Sequence, residues 1–162
     1  QFFVEDNNYY AYDPGFRLQG EAMHIYINTI NGFDHLKMLI NFGLTGFMVI
    51  KNLSEKNDFL FRGKQCCTLW ILLKRGVIKN IYGIKELDND SSVIFIMQRF
   101  NEGDEVLENM VGNEKQVLAR IYIVSKTKEE LVSKINSIKS NLSVIDKNDN
   151  EMIIDLLDTS LL

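Results

Sequence analysis

Four residues in the stretch 12–24, "YDPGFRLQGEAMH", have the types and spacing to do chemistry: Asp13, Arg17, Gln19 and Glu21. The last three alternate, so on an extended chain they share one face. A carboxylate such as Asp13 can ligate a divalent cation through oxygen. A guanidinium such as Arg17 can hold a carboxylate or phosphate in bidentate fashion. Mg²⁺ usually takes only one or two protein carboxylates, so a single Asp suffices on the protein side. A plainer alternative stays open at this point: Arg17 pairs with Asp13 beside the Pro14-Gly15 turn and has only a structural role.

The elements around this stretch are legible from pattern. Upstream, "QFFVEDNNYYAYD" alternates aromatic and polar residues on both sides of Asp6-Asn7-Asn8, which predicts a β-hairpin. Downstream, "NGFDHLKMLINFGLTG" predicts a helix with Asp34 as N-cap, Gly46 as stop, and Leu36, Leu39, Ile40 and Leu44 near helical spacing. "NLSEKNDFLFRGK" is a polar connector. Residues 65–82 predict a second hairpin, its strands joined at Lys74-Arg75-Gly76 with Gly76 suited to positive φ. "IKELDND" predicts a short helical turn. "SSVIFIMQRF" predicts a strand in a covered sheet, and "QVLARIYIVSK" another. "TKEELVSKINSIKSNL" predicts a helix capped by Thr127 and Glu130, with Leu131, Ile135 and Ile138 as its buried stripe. "SVID" and "EMII" predict short closing strands. The expected class is α+β: a β-hairpin plus helix, then a mainly antiparallel sheet with helices on one face.

Composition narrows the functions available. The 162 residues are 46% hydrophobic and 25% charged, enough to bury a core without a disulfide or metal. A net charge of -4 and a pI near 5.2 argue against nucleic acid or an anionic membrane as main partner. No apolar run reaches a membrane span. Cys66 and Cys67 are neighbours on a predicted strand and point to opposite faces, so they are expected as small, free strand residues in a reducing cytoplasm. His24 and His35 have no ligand-spaced companions for a zinc site, and His35 is expected to be solvated. No Walker loop, dinucleotide fingerprint or nucleophile elbow is present. Glu102 and Asp104 are most simply a polar loop. Whether the chain forms a homodimer is left open.

The stretch "QFFVEDNNYYAYDPGFR" resembles the part of ATP-grasp enzymes in which a metal-binding Gln or Glu starts one strand and an acidic residue ends the next. Carbamoyl-phosphate synthases are most similar there, with a Gln twelve residues before the acid, as Gln1 stands to Asp13. "RLQGE" is similar to the Arg-x-Gln-x-Glu run of biotin carboxylases. "LKRGVIKNIYG" resembles a hairpin of the biotin-carboxylase C-terminal domain. "EKQVLARIYIVSKTKEELVSKINSIKSNLSVI" is similar to that domain's terminal strand-helix-strand unit.

The resemblance implies that residues 1–50 end an ATP-grasp domain, 51–64 connect, and 65–162 form a C-terminal α+β domain. It implies Gln1 and Asp13 as Mg²⁺ ligands on the ATP phosphates, Arg17 as clamp on a substrate carboxylate or its acyl-phosphate, and Glu21 as an acid-base residue. It also implies a carboxylate or bicarbonate-like substrate, with carboxylate-amine ligation as the preferred chemistry. Two departures stand out. The acid is Asp13 rather than the usual Glu, and Gly15 replaces the family's metal-contacting Asn. The family's Gly-rich phosphate loop and nucleotide-binding lysines are not located in this sequence. With Gln1 opening directly into an apolar run, the chain is expected to be a fragment whose ATP pocket is completed by upstream domains of the same chain. The competing expectation is a stand-alone α+β module that binds a small ligand and catalyses nothing.

Overall fold

The computed structural model describes residues 2–11, 18, 20–48, 52–154 and 157–162. The chain opens with the expected hairpin, β1 (Phe2–Glu5) and β2 (Asn8–Ala11), paired antiparallel with Phe2 opposite Ala11. Asp6 and Asn7 both have positive φ, 48° and 61°. A two-residue hairpin turn of the I′ type needs that pair of left-handed conformations, and Asp and Asn tolerate them.

Two helices follow. The second, α2 (His35–Thr45), is capped as expected. The Asp34 carboxylate accepts from the Leu36 and Lys37 amides, and Gly46 ends the helix at φ 76°. Its apolar stripe is a different matter, for Leu36, Ile40 and Leu44 are exposed and Met38 is its buried residue. The first, α1 (His24–Asn31), is not anticipated by the sequence analysis. It buries Tyr26 and Ile30. His35 is half-buried, edge-on to Phe33 with ring centroids 4.9 Å apart, rather than solvated. Within the polar connector lies one helical turn, α3 (Leu53–Lys56).

The remaining chain builds two three-stranded antiparallel sheets. One has the order β3 (Gln65–Leu72), β7 (Val117–Ser125), β5 (Val93–Gln98). The other has the order β6 (Glu105–Val106), β4 (Gly76–Tyr82), β8 (Ser143–Asp146). The expected hairpin over 65–82 is therefore corrected. β3 pairs with β7 while β4 pairs with β6 and β8. An irregularity in the ladder between Ile71 and Leu72 bends β3 as it ends. Leu73, fully buried, then bridges to Ile153, and the Lys74 amide donates to the Met152 carbonyl. The chain turns a corner between sheets instead of folding back on itself. Gly76 does adopt positive φ, 143°.

β7 is the centre of the first sheet and is buried along nearly its whole length. Alternation along it separates two covered faces. Ile121 and Ile123 join Leu69, Ile71 and the stripe of α5 (Lys128–Asn141), namely Leu131, Ile135 and Ile138, in the main core. Fully burying each such aliphatic side chain stabilises the fold by roughly 1.5–3 kcal/mol. Ile84, which opens α4 (Ile84–Leu87), belongs to the same core. The helices of 65–162 thus share one face, as expected. The opposite face, at Tyr122, is covered by Ala22, Tyr26 and Ile30 from the preceding segment. Cys66 packs toward this second cluster and Cys67 toward the main core. Both are free, and burial pushes both thiols up. β5, expected from its apolar run to lie in a covered sheet, is the edge strand of its sheet, with Phe95 and Met97 exposed.

The N-terminus of α5 carries the expected cap in a shifted form. Thr127 Oγ1 accepts from the Glu130 amide at 3.2 Å, and Glu130 Oε2 reaches back to the Lys126 amide at 2.9 Å, one residue beyond the capping residue itself.

Candidate functional site

Gln1, Asp13, Arg17 and Gln19 lie outside the described residues, as does Gly15. Of the implied site, Glu21 is described. It is exposed, and the chain on either side of it is fastened to β7. Arg120 Nη1 donates to the Gly20 carbonyl at 3.0 Å, and the Tyr122 hydroxyl donates to the Glu21 carbonyl at 3.0 Å. The two side chains are two residues apart on one strand, so they share a face and reach successive carbonyls of the crossing segment.

Each fastening is itself held. Arg120 lies opposite Trp70 in the β3–β7 register, and its guanidinium carbon sits 4.1 Å from the ring centroid, a cation–π contact. Its Nη2 pairs with Glu114 Oε2 at 3.2 Å, and only 12% of the Arg120 side chain is exposed. Tyr122 lies between two rings, Tyr26 at 5.6 Å and Phe95 at 5.7 Å between centroids. Tyr26 in turn shares a 2.9 Å hydrogen bond with Thr68 Oγ1. Burial pushes both phenols up, so each hydroxyl stays protonated at neutral pH. Beside the crossing is a cavity of about 410 Å³ lined by Gly20, Met97, Gln98, Arg99, Glu114 and Arg120, among others. Arg99 Nη1 donates to the Glu114 carbonyl at 2.6 Å, so two guanidiniums converge on Glu114.

Arg120, Tyr122, Trp70 and Glu114 are not among the site residues expected from the sequence. The alternation in "ARIYIV" placed Arg120 and Tyr122 on one face, but the segment they would meet is a hundred residues away. Among the described residues, no group of three or more His, Cys, Asp or Glu is placed to hold a metal ion. Nor is any helix among them long and apolar enough to cross a membrane.

A larger cavity, about 820 Å³, opens between the start of α5 and the ends of β5 and β7. Its wall includes the ion pair of Lys134 with Asp90. Burial raises the Asp90 pKa, but Lys134 and both the hydroxyl and the amide of Ser92 outweigh it and hold the carboxyl at about 2, below its usual 3.8. A carboxyl lowered on folding adds stability that is complete above its unfolded pKa and is lost as pH falls through the folded one. Asp90→Asn is therefore expected to be less stable than the parent at pH 7 by about 1–2 kcal/mol, allowing for solvent screening. The gap should close between pH 4 and pH 2, which urea denaturation at the two ends would reveal.

No protein-family model matches the chain, and no curated protein sequence matches it. Its backbone does match a solved structure. The crystal structure of phosphoribosylglycinamide synthetase from Anaerococcus prevotii superposes on 90% of this chain with a TM-score of 0.64, at 17% sequence identity. The fold is similar to that of an ATP-grasp protein. This chain spans 36% of the length of that synthetase. The α+β arrangement expected from the sequence is therefore found. The likeness does not single out carbamoyl-phosphate synthases or biotin carboxylases.

Proposed function

We propose that this chain is the C-terminal part of a cytoplasmic, ATP-dependent ATP-grasp ligase. The observation that carries the proposal is the fold likeness to phosphoribosylglycinamide synthetase over nine-tenths of the chain. The motif order around Gln1, Asp13 and Arg17 supports it. So does the anchoring of the segment after Arg17 onto the sheet at Gly20 and Glu21.

In this proposal Gln1 and Asp13 would hold Mg²⁺, and the donor chemistry is suitable, since Mg²⁺ prefers oxygen ligands and few carboxylates. Bound Mg·ATP supplies an activated phosphoryl group for a carboxylate or bicarbonate-like substrate, with carboxylate-amine ligation the favoured outcome. Arg17 holds the anionic substrate by paired hydrogen bonds. Glu21, exposed at the crossing, is the acid-base residue. The nucleotide's remaining contacts come from upstream domains of a longer chain.

The test is the coding region ahead of Gln1. It is expected to encode a Gly-rich, Lys-bearing nucleotide-binding domain, and the longer product should release ADP from Mg·ATP when given a carboxylate and an amine. The 162-residue chain alone should give no calorimetric signal with Mg·ATP at micromolar concentration. A start codon directly before Gln1, or micromolar ATP affinity in the isolated chain, would sink the proposal in favour of a self-contained binding module.

A further inference from the structure

We infer that Arg120 and Tyr122 of β7 are positioning residues for the segment that carries the proposed active-site wall. The inference rests on the ligase proposal for its catalytic meaning but on geometry for its content. Two donors at successive same-face positions of the central strand take two successive carbonyls, those of Gly20 and Glu21. Fixing consecutive carbonyls sets both the height and the rotation of a peptide, and so the direction in which the Glu21 side chain leaves it. A single contact would leave the segment free to swivel.

The donors are themselves immobilised, as a positioning device requires. Trp70 and Glu114 restrain Arg120 from two sides, while Tyr26 and Phe95 flank Tyr122. Supporting contacts of this kind decide whether a catalytic group is held in its productive geometry, and misplacement by about 1 Å can lower a rate about 100-fold. Arg120 also borders the 410 Å³ cavity beside Gly20. Neither residue is asked to touch substrate. Both act through the backbone that bears Glu21.

Three variants separate positioning from mere folding support. Arg120→Met covers the Trp70 ring but donates nothing. Arg120→Lys restores one donor and the charge. Tyr122→Phe removes only the hydroxyl. Backbone nitrogen-15 relaxation on the 162-residue chain should show lower order parameters at 20–22 in Arg120→Met and Tyr122→Phe, with β7 and α5 unchanged. In the longer protein, kcat should fall about 10–100-fold in Arg120→Met with KM for ATP unchanged, and Arg120→Lys should recover most of it. Unchanged order parameters at 20–22, or an equal loss of order throughout the core, overturn the inference. So does a loss of kcat that Arg120→Lys fails to rescue. Lower local order in the variants of a longer protein that ligates nothing supports the positioning role and removes the ligase proposal instead.

Discussion

On the ligase proposal, Asp13→Ala and Arg17→Ala, each made in the longer protein it calls for, are expected to lower ATP-dependent ligation at least 100-fold while leaving the fold unchanged. The size follows from how phosphoryl-transfer sites work. Catalysis there is mostly electrostatic, and removing one charged partner of the transition state commonly lowers the rate 10²–10³-fold. Gly15 sharpens the expectation for Asp13, because the neighbouring position offers no side-chain ligand to take over. Asp13→Asn should fare little better than Asp13→Ala, since an amide is a neutral and weaker ligand for Mg²⁺. Arg17→Lys should remain well below the parent, because an ammonium cannot form the paired hydrogen bonds of a guanidinium. Steady-state ADP release, with circular dichroism as the control for folding, checks all four. Wild-type turnover in both alanine variants would remove these residues from the site.

Gly83→Ala is expected to destabilise the chain by about 2–5 kcal/mol. Gly83 joins β4 to α4 at φ 86°, a left-handed conformation that costs a residue bearing a Cβ about 1–2 kcal/mol. Its Cβ would also stand 2.4 Å from the Asn141 carbonyl oxygen and 2.9 Å from the carbonyl carbon. Those are backbone atoms at the end of α5, so relief requires shifting the helix end, and overpacking of this kind costs roughly 1–3 kcal/mol more. Gly112 provides the control. It has nearly the same φ, 83°, with nothing within 4 Å of an added Cβ. Gly112→Ala should therefore show only the conformational part. Urea midpoints for the two variants would separate the contributions, and equal losses would refute the steric argument.

The parts of the fold that the sequence announced are those whose determinants are local. Asp34 and Gly46 bracket α2, and Thr127 begins α5, through hydrogen bonds within a few residues. Helix α1 escaped because Ile25, Tyr26, Ile27, Thr29 and Ile30 favour strands by type. Its helical signal, Ala22, Tyr26 and Ile30 at every fourth position, rests partly on a residue as small as alanine. The assumed 65–82 hairpin failed for the opposite reason. Lys74-Arg75-Gly76 has the composition of a tight turn, yet pairing was decided by β7 and β8, which no local pattern reveals. For the proposed site, residue type and spacing singled out Asp13, Arg17, Gln19 and Glu21, while Gln1 and each residue's role came from the resemblance. The anchoring pair Arg120 and Tyr122 was invisible because its significance lies in Gly20 and Glu21, remote in sequence and contacted only through backbone carbonyls.

The corner at Leu73 also has a consequence for how the chain is made. Strands β3 and β4 are neighbours in sequence but do not pair with each other, so neither can be completed early. Thr68 waits for Tyr122, and Tyr82 waits for Ser143. At about 5–20 residues per second of synthesis, both strands emerge several seconds before those partners. Folding must therefore close long loops before sheet hydrogen bonds are gained, which slows it relative to a chain of local hairpins. The late-made unit of β7, α5 and β8 supplies partners to both waiting strands. A nascent chain stopped short of it would present two apolar strands with unpaired edges to whatever lies nearby.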